Sequence, residues 1–188
     1  MLSSHLSSNS KQVSEDLLPR QDRRFLTFRL GGEEYGIGIL QVQEIRGYVA
    51  PTRIANAPSF LKGVLNLRGV IVPIIDLRLK FGLRDVRYDG TTVSVVLIIG
   101  QRVMAIVVDA VSDVMELGAE QIQPAPNFDG AAGTEHIIGL STPGPADRQR
   151  MVILLDIEGL MNAPDMGLTN ATSTPSAQTL SENLHELH

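Results

Sequence analysis

Short apolar runs separated by glycines and polar tips dominate the chain from about residue 24 to 162. Phe25-Leu26-Thr27-Phe28-Arg29-Leu30 is rich in strand formers, Gly31-Gly32 supplies a turn, and Tyr35-Gly36-Ile37-Gly38-Ile39 returns. That pattern predicts a β-hairpin. Val93 to Ile99 and Val103 to Val108 flank Gly100-Gln101 and predict a second hairpin, with glycine at the first turn position as a type II′ turn favours. Gly63 to Leu67 and Val70 to Asp76 flank Arg68-Gly69, and Met151 to Asp156 reads as a late buried strand. Helical signals are few. Pro58 suits a first turn over Ser59-Phe60-Leu61-Lys62, and Leu77 to Phe81 gives at most about one turn.

The pattern also repeats. Phe25–Ile45 falls without a gap on Ser94–Val114, hairpin on hairpin, with Gly31 on Gly100 and Val42-Gln43-Glu44-Ile45 on Val111-Ser112-Asp113-Val114. Further on, Ile71-Val72-Pro73-Ile74-Ile75-Asp76-Leu77 resembles Met151-Val152-Ile153-Leu154-Leu155-Asp156-Ile157 at a wider spacing, with the extra residues expected around Ala131–Gly133 or Ser141–Arg150. A duplicated unit of about five short strands per half follows. The expected fold class is all-β: two small five-stranded barrels, each closing its own edges, with a few short helices. Residues 1–23 and 163–188 are polar and rich in Ser, Thr, Asn and Pro, and read as mobile tails around a folded body at 24–162. Leu180, Leu184 and Leu187 in the second tail are spaced for one or two amphipathic turns.

Composition narrows the function. The 188 residues suit one domain or two small subdomains sharing a core. The absence of cysteine excludes disulfides, thiolate zinc sites, iron–sulfur clusters and a cysteine nucleophile. Sixteen Lys+Arg against 21 Asp+Glu give a net charge of −5, the wrong sign for a general nucleic-acid binder, and the chain has no Trp for base stacking. The longest apolar stretches are strand-length, far short of the roughly 20 residues of a membrane span. The first residues lack the apolar core of a secretory signal, so a cytoplasmic location is expected.

Catalytic and metal signals are sparse. His136 is the one histidine in the body, which reads as a loop or strand-end residue, and HExxH, GxSxG, Walker A and helix-opening GxGxxG patterns are missing. Asp76 and Asp156 occupy equivalent repeat positions and invite comparison with an acid-protease dyad. Each, however, is followed by a bulky aliphatic and a short helical pattern, so a helix N-cap accounts for both. Charge placement says more. From Arg46 to Arg87 eight basic residues face two acids, a net of +6, and from Asp89 to Glu135 one basic residue faces seven acids, a net of −6. Such a polar molecule suits head-to-tail association, and Arg68 at a hairpin tip offers an exposed guanidinium anchor.

At these residues the chain resembles the CheW chemotaxis coupling proteins of bacteria. The stretches that carry the resemblance are Glu33-Glu34-Tyr35-Gly36-Ile37, Val42-Gln43-Glu44-Ile45-Arg46-Gly47, Arg53-Ile54-Ala55-Asn56-Ala57-Pro58, the long block from Lys62 through Asn66-Leu67-Arg68-Gly69 to Arg78, and Gly100-Gln101-Arg102 through Val108 to Val114. Gly38 and Pro143-Gly144-Pro145 depart from the family pattern. The resemblance implies two barrels of the Src-homology-three type and a non-catalytic adaptor without cofactor or metal. It implies that the adaptor bridges the cytoplasmic tip of transmembrane chemoreceptors to the regulatory domain of the histidine kinase CheA, alternating with that domain in rings. Its contact with the membrane would be indirect, through the receptors. A groove between the barrels would receive the receptor's helical hairpin. Carried over by position, Val42, Gly63, Arg68 and Val114 are expected on the receptor side, and Glu44, Ile45 and Lys62 on the kinase side. An adaptor of another chemosensory pathway, such as surface motility, fits the same residues. A stand-alone ligand-binding barrel is the more distant reading.

Overall fold

The computed structural model describes residues 24–126, 134–144 and 150–168. In chain order the described strands are β1 (Arg24–Leu30), β2 (Glu33–Gly38), β3 (Val42–Gly47), β4 (Leu61–Leu67), β5 (Val70–Asp76), β6 (Val93–Ile99), β7 (Arg102–Val108), β8 (Ala110–Glu116), β9 (Ile122–Gln123), β10 (Ile137–Ser141) and β11 (Val152–Leu155). Helix α1 (Leu77–Lys80) follows β5, and α2 (Ile157–Asn162) follows β11. The all-β expectation holds, and both predicted hairpins form with Gly31 and Gly100 in the left-handed region at φ 62° and 60°.

Two sheets result, in the orders β8-β1-β2-β11-β10-β9 and β3-β6-β7-β5-β4. Each continues its first strand around to its last. Beyond β3, Thr52 bridges Val64 of β4; beyond β8, β9 pairs with β10. These are the two small barrels the repeat calls for. The first carries a two-residue sixth strand where the second has a single bridge.

The repeat is visible down to its irregularities. One extra residue bulges out of β3 at Gln43 and out of β8 at Ser112, the positions the alignment superposes. Lys62 of β4 and Ile138 of β10 bulge in the same way, each just before a glycine. The backbone N–H of Asp76 donates to Phe60 O at 2.7 Å, and that of Asp156 to His136 O at 2.8 Å. Bulges bend and twist a strand locally, which lets so short a sheet curl onto itself.

One expectation changes. The sequence halves are not the barrels. Hairpin β1-β2 sits in one sheet with β8 to β11, and hairpin β6-β7 sits in the other with β3 to β5. Each barrel therefore takes its hairpin from one repeat and its remaining strands from the other. The chain leaves the first sheet at a 3-10 turn, Ile39–Gln41, after which β3 pairs with β6.

This exchange buries the hairpins on both faces and explains their nearly continuous apolar runs. Leu26, Phe28, Val95, Leu97, Met104 and Ile106 point into one large core between the sheets. The alternate residues Val96, Ala105 and Val107 fill one barrel with Val72 and Ile74. Phe25, Leu117, Val152 and Leu154 fill the other.

Two further expectations are corrected. Ser59-Phe60 form a turn rather than a helix, and Leu61-Lys62 already belong to β4, because pairing with β5 outweighs the helical preference of one Pro-led tetrapeptide. The body also continues past Asn162. Pro164–Met166 form a 3-10 turn, Met166 is fully buried in the shared core, and Leu168 packs against it. The tail residues 1–23 and 169–188 lie outside the described residues.

Candidate partner-binding surface

The expected site residues gather on the outer strands β3 and β8 and on the β4-β5 hairpin. Val42 and Val111 are repeat equivalents, and both turn half-buried side chains into the shared core. Three residues on, Ile45 and Val114 are equivalents too, and stand 45% and 47% exposed. Thus β3 and β8 are the corresponding outer strands of the two sheets, each bonded to a neighbour along one side of its own sheet. Each also carries an apolar side chain in solvent. The structure places Val114 beside Leu26 and Ile45 beside Val95 in register.

Arg68 occupies the tip of a two-residue hairpin. Leu67 pairs with Val70, and both central residues have positive φ, 53° at Arg68 and 89° at Gly69, the signature of a type I′ turn. Asn66 Oδ1 accepts the Gly69 N–H at 2.7 Å and fixes the turn. A left-handed conformation costs an L-residue with a Cβ roughly 1–2 kcal/mol. Arginine is thus held where Asn or Gly would fit with less strain, with its side chain 81% exposed. Its Nη2 lies 3.3 Å from Glu44 Oε2, and Arg46 Nη1 lies 3.6 Å from Glu44 Oε1. The residues expected on different partners' sides, Arg68 and Glu44, therefore share one ion pair and one surface.

Lys62 and Gly63 act differently. Lys62 is the bulged residue of β4, and its Nζ sits 5.3 Å from the centre of the Tyr88 ring. Gly63 is buried at φ 138°, and a Cβ there would lie 2.0 Å from Thr52 O. It shapes the crossing that closes the barrel rather than presenting a side chain.

Beneath this surface lies a charge network that the sequence does not reveal. Arg78, 1% exposed, donates from Nε to Asp76 Oδ1 at 3.0 Å and from Nη2 to Asp76 Oδ2 at 2.8 Å. Its Nη1 donates to Asp109 Oδ1 at 2.7 Å and to Arg87 O at 2.8 Å. Asp109 Oδ2 in turn accepts the Gly31 N–H at 2.6 Å, which ties the β1-β2 turn of one barrel to the other. Burial alone would lower the Arg78 pKa, but the hydrogen bonds and charges of Asp76 and Asp109 outweigh it and hold the guanidinium more basic than usual. The Tyr88 hydroxyl donates to Asp76 Oδ2 at 2.8 Å, and its pKa is raised by burial and by that hydrogen bond.

The helix-cap reading of the two aspartates holds. Asp76 accepts from Arg78 N at the start of α1, and Asp156 accepts from Gly159 N in α2. Both Asp76 oxygens are occupied by Arg78 and Tyr88, the opposite of a carboxylate pair sharing a proton. His136 ends the 3-10 turn before β10, as a strand-end residue. Among the described residues no cluster of three or more His, Asp or Glu is placed to hold a metal, and no helix is long and apolar enough to cross a membrane.

Comparison with known proteins bears on the fold and the family. The chemotaxis protein CheW of Klebsiella aerogenes is 59% identical over 148 residues, covering 79% of this chain and 87% of that protein. FrzA of Myxococcus xanthus is 29% identical over 121 residues, 64% of this chain and 75% of that one. The crystal structure of the scaffolding protein TtCheW from Thermoanaerobacter tengcongensis superposes with a TM-score of 0.66 at 27% identity, covering 76% of this chain and 94% of its own. The model of the CheW-like domain matches residues 24–165, and this chain belongs to that family of chemosensory adaptors.

Proposed function

We propose that the protein couples the cytoplasmic tips of transmembrane chemoreceptors to the histidine kinase CheA, working in the cytoplasm at receptor arrays and transforming no molecule itself. Val42, Arg68 and Val114 form the receptor side in this reading, with Gly63 only shaping the strand crossing behind them, and Glu44, Ile45 and Lys62 form the kinase side. The observation that carries it is Arg68: a strained, exposed arginine stands at a hairpin tip against local preference, which points to a role outside the fold. Its pairing with Glu44 makes the two sides adjoin. Occupancy of one side can then bias the other through a shared ion pair.

An adaptor contributes only differential affinity. It must hold receptor and kinase more tightly in one signalling state than in the other, or it shifts nothing. Joining two modest contacts also raises the effective concentration of each partner for the next.

The test is co-sedimentation of the purified protein with receptor-bearing membranes and CheA. Arg68→Glu should lose capture of one or both partners while its circular dichroism stays unchanged. Full capture by the folded variant would discredit the assignment. A second reading, an adaptor of another chemosensory pathway, is supported by the similarity to FrzA. The kinase that returns in a pull-down from cytosol plus membranes separates the two.

A further inference from the structure

An apolar groove of about 690 Å³ is lined by no residue of β3 or β8. Its walls are the loop Ile54–Pro58, the β4-β5 residues Val70, Ile71 and Pro73, and the β6-β7 turn with Val103. Ile54, Val70 and Ile71 are all exposed. A contiguous exposed apolar surface favours association, because covering it removes that surface from water.

The chain supplies its own candidate to cover it. Gly167, at φ 64°, turns the backbone after the Pro164–Met166 turn, and Gly167 and Leu168 themselves line the groove. Arg102 Nη1 donates to Leu168 O at 2.9 Å, while its Nη2 holds Asn162 Oδ1. The last described residue, Leu168, is therefore anchored at the groove wall. The following segment, Thr169–His188, has no Lys or Arg and carries Glu182 and Glu186. The groove belongs largely to the net-positive stretch Arg46–Arg87, with Arg53 beside the lining residue Ile54 and Arg102 in the wall. Leu180, Leu184 and Leu187 recur at helical spacing, so a helix over them would present one apolar face. The twelve residues from Thr169 to Leu180 can span up to roughly 40 Å, several times the ~10–12 Å width of a helix. That is ample to fold back over a groove whose wall they leave.

We propose that Leu180–Leu187 docks in this groove as a two-turn amphipathic helix with its three leucines inward, as an intramolecular cover. The groove shares the β4-β5 hairpin with the partner assignment above but none of the residues assigned there, and the experiment below needs neither receptor nor kinase, so the two readings can fail separately.

The test uses the full chain. It contains no cysteine, so Ser181→Cys takes a single spin label. In isotope-labelled protein, the amide signals of Ile54, Ile71 and Val103 should broaden selectively, independently of concentration, while those of Glu116 and Glu120 keep their intensity. Adding Leu184→Glu should restore the lost intensity. Absence of selective broadening, or broadening that persists in the Leu184→Glu chain, would overturn the proposal. So would broadening that transfers to an isotope-labelled chain lacking the spin label, since the segment would then be docking on a second copy.

Discussion

Removing the Arg78 guanidinium while keeping apolar bulk, as in Arg78→Met, isolates the buried network that joins the barrels. The side chain makes four hydrogen bonds, three of them to carboxylates. At about 1.5–3 kcal/mol for each bond to a charged group, a simple sum would exceed 6 kcal/mol. That sum overshoots, because the native state has already spent solvation energy on burying Arg78 and Asp76. Breaking one partner of a buried pair costs about 3–5 kcal/mol, most of it from the charge left behind. Asp76 would retain only the Tyr88 hydroxyl and the cap N–H at residue 78. Against the roughly 5–15 kcal/mol typical of a domain, a loss of this size removes at least about a fifth of the total. Urea unfolding followed by far-ultraviolet circular dichroism measures it, with an unchanged slope showing that the unfolded state is not at issue. Arg78→Lys keeps the charge but loses the fork and should fall between wild type and Arg78→Met. A loss below about 1 kcal/mol in Arg78→Met would refute the claim that the network supports the fold.

Other outcomes follow from the same geometry. Arg68→Asn relieves left-handed strain worth up to about 1 kcal/mol and forfeits an exposed ion pair worth about 0.2–1. Its melting temperature should therefore hold or rise while capture of partners falls; a clear drop in melting temperature would count against strain at Arg68. Gly63→Ala brings a Cβ against Thr52 O and adds left-handed strain, so it should cost at least about 2 kcal/mol in urea unfolding and weaken binding only through the fold. Tyr35, Tyr48 and Tyr88 all have pKa values raised above 10.0, with burial the largest cause in each. The folded state thus holds these protons more tightly than the unfolded one, and the stability this provides is complete below 10.0 and lost as pH rises. Ultraviolet titration should show phenolate absorbance appearing later in folded than in denatured protein; coincident curves would contradict the burial.

Much of this was legible in the sequence because it is local. Alternating apolar residues with glycine at the tips mark both hairpins, and the superposition of Val42–Ile45 on Val111–Val114 holds in the structure, where each segment also carries a bulge that the sequence did not announce. The exchange of hairpins was not legible. Since β1-β2 and β6-β7 are equivalents, either could have accepted β3, and no local pattern in the sequence decides between them. Pro58 misled because one helical turn and one strand entry look alike over four residues. The end of the body was set too early because a single buried methionine, Met166, outweighs the Pro, Asp and Gly around it. At the candidate surface, the residues came from family resemblance. The Arg68–Glu44 pair joins positions far apart along the chain, which no local pattern reports. Arg78, counted among the basic residues of its segment, is internal and adds nothing to the outer field.

The interleaving of the two repeats sets an order on assembly. The stretch from Val42 to Val108 is continuous and contains every strand of its barrel, so a ribosome has synthesised all of it before β8 to β11 exist. Hairpin β1-β2 emerges first, yet it lies in the interior of the other sheet and must wait for β8 and β11 on either side. Until they arrive, its two sticky edges are open to any passing strand. Clipping the protein's front end would therefore hollow out the middle of a sheet, leaving its later strands as orphans.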